Sequence, residues 1–292
     1  MALKVCTSMR QAAVELDLLF RMIHPNITQV YGGTMHQGFY VIGMEDCRLG
    51  DLQLRMEHRD LRADLDLAEM LSLDIFQALS YLKTQGVPHR DIKTSNVLLS
   101  CECSEPSPTD CGCIKNLGCR ISAKLCDFGL AKLDVFAEAS SGNMAGTMAY
   151  MAPERFHRSE TNRMTPPDEV VISAFDYFSS DVYSAALVTW EMYVYAQTGT
   201  YTKARSKQEI KHLLGREDQR HMSAPLVPST SGDTSICCIP STDALCEHHA
   251  SLLWSCLGAD PSTRPRAENV VRVLRAMTSA KKKEEEAICN CC

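Results

Sequence analysis

Apolar and polar residues change rhythm along this chain, and the changes divide it into elements. Residues 2–6 (Ala, Leu, Lys, Val, Cys) predict a short strand. Residues 10–23 place apolar side chains at Ala13, Leu16, Leu19, Phe20 and Ile23, a helical spacing. His24, Pro25 and Asn26 stop that helix, because proline disfavours the helical region for the residue before it. Two β-rich runs follow, 27–31 and 39–44, with Gly32, Gly33 and Gly38 between them. Strand, helix, strand, strand make up most of a small lobe.

From Leu52 the rhythm becomes helical. Asp66 with Glu69 fits a capping box opening a helix through about Gln85, with Leu67, Met70, Leu71, Ile75, Ala78, Leu79 and Leu82 on one face. Residues 178–194 are apolar all round, which predicts a helix running through the core. Val270, Val271, Val273, Leu274 and Met277 predict a last amphipathic helix, and the charge blocks of 281–286 its fraying end. Residues 101–119, 158–172 and 222–243 are Cys-, Pro- or Ser/Thr-rich and read as insertions or linkers.

Bulk properties narrow the function classes. With 292 residues, 45% hydrophobic and 23% charged, the chain has the composition of a globular protein with a large core. A net charge of -6 leaves no basic footprint for nucleic acid. No apolar run reaches the roughly 20 residues that span a bilayer, so no transmembrane segment is expected. Met1 leads into Ala2, Leu3, Lys4 and Val5 without the pattern of a signal peptide, so the fifteen cysteines are expected to be mostly reduced and the location cytoplasmic.

The candidate chemistry lies in three motifs in one order. His89, Arg90, Asp91, Ile92, Lys93, Thr94, Ser95 and Asn96 come first, then Asp127, Phe128 and Gly129, then Ala152, Pro153 and Glu154. Phosphoryl transfer needs a carboxylate near the incoming hydroxyl, oxygen ligands for Mg²⁺, and a cation for the moving charge. Asp91, Asn96 with Asp127, and Lys93 supply such groups. The set resembles a eukaryotic protein kinase directed at Ser and Thr, closest to the tyrosine-kinase-like group, and the resemblance covers residues 2 to about 279.

The resemblance implies an α+β, bilobal fold: a truncated β-rich lobe over 1–46, a mainly helical lobe over 47–279 with the three insertions, and a charged Cys-rich tail over 280–292. It implies ATP and Mg²⁺ as cofactors, a protein Ser/Thr hydroxyl as acceptor, and regulatory protein partners. Lys4 would contact the α- and β-phosphates, held by an ion pair to Glu15. Ala2 and Leu98 would sandwich the adenine, Met44 would be the gatekeeper, and the backbone at Glu45 and Cys47 would bind the adenine edge. Asp51 falls where relatives hold the ribose hydroxyls. Asp91 would orient the substrate hydroxyl and accept its proton, Lys93 would steady the γ-phosphate, and Asn96 and Asp127 would hold Mg²⁺.

Regulation and architecture follow from the same likeness. Arg90 would pair with a phosphorylated activation-loop residue, Ser140 or Ser141, while Thr147 would hydrogen-bond Asp91 and Lys93. Glu154 and Arg264 would form a buried pair, and Asp181 would hold the catalytic-loop backbone. Leu19, Val30, Phe128 and His89 would stack into one apolar column. The family's glycine-rich phosphate loop does not precede Lys4 in this sequence. Two readings stay open on that departure: a fragment of an active kinase, or a pseudokinase scaffold that binds nucleotide weakly.

The cysteines leave further alternatives. Cys101, Cys103, Cys111 and Cys113, with Cys119 nearby, are either free thiols in a loop or a tetrahedral zinc site. Cys126 is a packing residue or a modifiable cleft thiol, and Cys289, Cys291 and Cys292 are lipidation candidates beside Lys281 and Lys283.

Overall fold

The computed structural model describes residues 1–6, 9–101, 120–131, 147–155, 177–203 and 244–289. Strands β1 (Ala2–Cys6), β2 (Val30–His36) and β3 (Phe39–Met44) and helix α1 (Met9–Phe20) form the upper part. The sheet is antiparallel in the order β1-β3-β2. Ala2 pairs with Met44 and Lys4 with Ile42, so Ala2, Lys4 and Cys6 share the half-buried face while Leu3 and Val5 face out.

Two sequence expectations are corrected here. The helix ends at Phe20, and its buried residues are Ala12, Glu15, Leu18 and Leu19, with buried Met22 just beyond it; Ala13, Phe20 and Ile23 are exposed. The charge of Glu15 hid the true face, because an acid held by a lysine occupies a core position. The strand expected at 27–31 runs over Val30–His36 instead, taking Gly32 and Gly33 into the ladder through an irregularity between Val30 and Gly32. Gly33 leaves room for Tyr40, since a Cβ there would come within 2.9 Å of the ring and force it to shift.

The segment before β2 docks the upper part onto the lower. Ile27 bridges Leu125 in β5 (Ile121–Leu125), and Thr28 donates to the Leu125 carbonyl at 3.0 Å. Buried Asn26 donates to the carbonyl of Ala123, whose amide donates to Asp74. The turn of His24, Pro25 and Asn26 lies beyond the helix end, which Phe20 marks, and fastens the lobes together.

The lower part is helical: α2 (Leu52–Glu57), α3 (Leu65–Thr84), α4 (Tyr177–Thr198), α5 (Ala244–Cys256) and α6 (Ala267–Cys289). Helix α3 packs on both α4 and α6. Its N-cap is Asp64, whose carboxylate accepts from the Leu67 amide at 2.7 Å, in place of the capping box expected from Asp66 and Glu69. Glu69 is buried instead, 3.6 Å from His249. Helix α4 is buried without interruption over 179–195, as expected of an evenly apolar segment. In α6, Val270, Val271 and Leu274 pack inward, whereas Val273 faces solvent.

Strand β4 (Val97–Cys101) pairs with β5 into a two-stranded ribbon on which the loops before and after it converge. Among the described residues no helix is long and apolar enough to cross a membrane.

Candidate active site

The cleft between the sheet and the ribbon gathers residues far apart in sequence. Lys4, projecting from β1, places its Nζ 2.6 and 2.9 Å from the two oxygens of buried Glu15 on α1, and 2.9 Å from Oδ1 of Asp127. Burial by itself would lower the Lys4 pKa, but hydrogen bonds and charge from Glu15 and Asp127 outweigh it and hold it raised. For Asp127 burial pushes the other way, and the Lys4 ammonium with the Gly129 amide brings the carboxyl below its usual range. Both groups are thus charged at neutral pH.

Asp91 stands at the centre of the second cluster. Its Oδ1 accepts from the Thr147 amide at 2.9 Å and hydroxyl at 3.0 Å. Its Oδ2 accepts from Lys93 Nζ at 2.7 Å and Asn96 Nδ2 at 3.2 Å. Burial would raise its pKa; Lys93 and Thr147 overcome that and lower it. Lys93 also donates to Thr147 Oγ1 at 3.0 Å. Asn96 spends its amide hydrogens on the Asp91 carbonyl and carboxylate, which leaves its side-chain oxygen as a ligand for a cation.

Two non-glycine residues here adopt left-handed backbone, Arg90 with φ 73° and Asp127 with φ 62°. Such conformations cost about 1–3 kcal/mol each and persist where surrounding contacts hold them. For Arg90 the holder is Asp181 at the start of α4, whose carboxylate accepts from the His89 amide at 2.7 Å and the Arg90 amide at 2.8 Å. Complete burial pushes the Asp181 pKa up to about 6, against those amides and the charges of Arg155 and Arg90. His89 is buried, 4.6 Å from the Phe128 ring, with Nε2 3.0 Å from the Cys126 carbonyl. Burial lowers its pKa to about 4, so it is a neutral packing residue.

The remaining candidates fall as follows. Arg264 forks onto Glu154 with two 2.7 Å bonds and has a side chain with 0% exposure. Arg90 lays its guanidinium 4.1 Å over the Tyr177 ring, and its buried Nε has no hydrogen-bond partner among the described residues. Met44, Ala2 and Leu98 are half-buried. The Glu45 amide is taken by the Gln29 carbonyl at 2.8 Å, so only its carbonyl remains for a ligand, while the Cys47 carbonyl accepts from Gly50. Asp51 caps α2 through Oδ1, donated to by Leu54 at 2.8 Å, which leaves Oδ2 for another donor. Leu19, Val30 and Phe128 belong to one buried core.

Ser140, Ser141, Cys103, Cys111, Cys113, Cys119, Cys291 and Cys292 lie outside the described residues, as do most positions of the three insertions. Cys101 sits half-buried in β4. Burial drives the thiol pKa of Cys47 up to about 11 and that of Cys126 up to about 12, so both are protonated and unreactive at neutral pH.

One group escaped the sequence reading. Buried Glu191 on α4 accepts from Tyr150 at 3.0 Å and Tyr201 at 3.2 Å, and Tyr150 stands 2.8 Å from Thr94 Oγ1. This network ties the loop of Asp91 to the segment of Thr147. Its signal was present: Glu191 is an acid in the middle of an apolar helix.

Comparison with known proteins agrees with this arrangement. The family model described as the protein kinase domain matches residues 2–273. Arabidopsis thaliana serine/threonine/tyrosine-protein kinase HT1 is 26% identical over 91% of this chain and 54% of its own length. Streptomyces coelicolor serine/threonine-protein kinase PkaA is 29% identical over 90% of this chain and 39% of its own. Saccharomyces cerevisiae serine/threonine-protein kinase SSK22 is 27% identical over 87% and 16%. The chain spans about half the length of the first of these three and less of the others.

Proposed function

The chain belongs to the protein kinase family, and from that premise we propose that it transfers the γ-phosphate of ATP to Ser or Thr hydroxyls of a protein. The observation that carries this reading is the Asp91 cluster: a charged carboxylate held by Lys93, Thr147 and Asn96. A threonine bonded to both the carboxylate and the lysine closes the floor of the site.

The roles follow from the chemistry of each group. Lys4, fixed by Glu15, presents an ammonium to nucleotide phosphates in exchange for its bond to Asp127. Lys93 balances charge on the group in transfer, and Asp91 orients the hydroxyl and takes its proton late, since its pKa is lowered. The Asp127 carboxylate and the Asn96 side-chain oxygen fit a hard divalent cation, being anionic or neutral oxygen donors within one cleft. Mg²⁺ when bound there would screen phosphate charge and favour the in-line geometry. Cytoplasmic protein substrates and an Arg90 partner among phosphorylated Ser140 or Ser141 complete the proposal.

The test is transfer of radiolabelled phosphate from MgATP to a Ser/Thr protein substrate, with Asp91→Ala as control. Label incorporated by the chain and lost in the control is the expected result. MgATP that neither shifts the melting temperature nor labels any acceptor would leave an interaction module of kinase fold as the function.

A further inference from the structure

His24 sits in the turn between α1 and β2 where the upper part is fastened to the lower, and its side chain is half-buried. The ring stacks on Tyr81 of α3, with centroids 4.9 Å apart and 25° between the planes. Its Nδ1 lies 3.1 Å from the Asn26 amide. A backbone amide can only donate, so Nδ1 keeps its lone pair and the single ring proton is on Nε2. That bond sets buried Asn26, whose carbonyl accepts from the Leu125 amide at 2.9 Å and whose side chain donates to the Ala123 carbonyl at 3.0 Å. Lys124 of β5 faces the ring with its positive charge, donating to the Pro25 carbonyl at 2.7 Å and pairing with Glu45 at 3.0 Å. Tyr81 spends its hydroxyl on the Ile23 amide, and Arg21 upstream is exposed and paired with Asp17. Burial first, and the Lys124 charge second, lower the His24 pKa below its ordinary 6.5.

We propose that His24 is a pH-sensitive latch between the two parts: neutral, it holds the Asn26 turn against β5, and protonated, it releases that turn. A proton on Nδ1 sets two donors face to face and leaves the Asn26 amide without its acceptor. It also adds a second cation beside Lys124. The sign follows from linkage. The unfolded chain takes up this proton near 6.5 and the folded one only at lower pH, so the contribution of the latch is complete above 6.5 and is lost as pH falls through the lowered value. Lys4 of the upper part and Asp127, two residues after Leu125, meet across the cleft at 2.9 Å, so release of the turn loosens the registry of that pair as well. The latch works in the protein whatever the cleft binds.

The test follows the His24 ring nitrogens and the Asn26 amide by NMR in the isotope-labelled full chain, from pH 7.5 to 5. The ring should titrate below 6.5, and the Asn26 amide shift should follow it with the same midpoint. Over that range the protection of the Leu125 amide against hydrogen exchange should fall about three- to tenfold relative to Leu187 in the middle of α4, linkage allowing no more than about tenfold per pH unit. The variant His24→Asn keeps an acceptor, since an asparagine side chain bonds the amide two residues on, but carries no titrating group. Its protection ratio should stay flat, and any loss of stability from His89 is common to both proteins. A ring that titrates at or above 6.5, an Asn26 amide that does not follow the ring, or an equal fall in His24→Asn would each overturn the proposal. If the variant does not fold, the agreement or disagreement of the two midpoints in the parent protein decides alone.

Discussion

Replacing Asp181 with asparagine should change how stability depends on acid, and the sign is fixed by the structure. The carboxyl is fully buried and its pKa stands at about 6, against an ordinary value of 3.8. Between those two values the folded protein holds a proton on Asp181 that the unfolded chain does not. Stability contributed by that proton is therefore gained as pH falls from above 6 toward 4, and lost again as pH rises through 6. The interval, at roughly 1.4 kcal/mol per pH unit, corresponds to about 3 kcal/mol. His89, lowered to about 4 by burial from 6.5, works in the opposite sense: the unfolded chain takes the proton first, so acidification removes stability. The two neighbours mask each other in the parent protein. Asp181→Asn removes one and exposes the other. Urea unfolding of parent and variant at half-unit steps from pH 7.5 to 4 gives the difference, in which His89 cancels. That difference should move in favour of the parent by about 3 kcal/mol as pH falls. A flat difference, or one moving toward the variant, would refute the assignment of a buried, proton-retaining Asp181.

Other perturbations have equally definite outcomes. Glu154→Ala leaves the Arg264 guanidinium buried without its fork and should destabilise the fold by about 3–5 kcal/mol, read by denaturant midpoint. Lys4→Met should weaken MgATP binding and lower phosphate transfer by two or more orders of magnitude, and should also lower the denaturant midpoint because it leaves the buried Glu15 carboxylate without its partner; an unchanged transfer rate would remove Lys4 from the site. Thr147→Val deletes one hydroxyl bonded to both Asp91 and Lys93, and should cut the transfer rate about tenfold or more at unchanged melting temperature. Glu191→Gln keeps the shape of the network while removing its charge, and should slow transfer without altering ATP affinity, as measured by titration calorimetry.

How much of this could be read from residues alone differs by type of element. Helix α4 was plain because every face is apolar, so no choice of face was needed. The Asp91 cluster was plain because its members have fixed spacing and unusual chemistry. Helix α1 was misread in its inner stripe because Glu15 interrupts the apolar pattern, and only a partner on another strand makes a buried acid sensible. The cap of α3 was misread because Asp64 and Asp66 are both cap formers with a plausible residue downstream, and the decision rests on where Leu67 points its amide. The strand at Val30–His36 was misplaced because Gly32 and Gly33 read as punctuation, whereas both lie in the ladder and Gly33 leaves room for the Tyr40 ring. In each case the missing knowledge was a tertiary contact of high sequence separation, which local pattern cannot carry.

The saturation of Asp91 has a consequence for the order of events. Both of its oxygens already accept two donors, so a substrate hydroxyl can reach it only by displacing one of them. The Thr147 amide and the Asn96 amide are fixed by backbone and by a second bond to the Asp91 carbonyl. Lys93 is the member held by side-chain contacts alone, through its bonds to Asp91 and Thr147, and under the proposed function phosphate charge would offer its ammonium another partner. Under the proposed function, nucleotide arrival would free the Asp91 oxygen that an acceptor hydroxyl needs, by drawing Lys93 toward the phosphates. Lys4 behaves alike, since its bond to Asp127 competes with any cation that takes that carboxylate. The same two lysines that hold the empty cleft together by charge are the ones that a polyanion recruits, so the resting ion pairs and the binding of ATP are alternative uses of one set of charges.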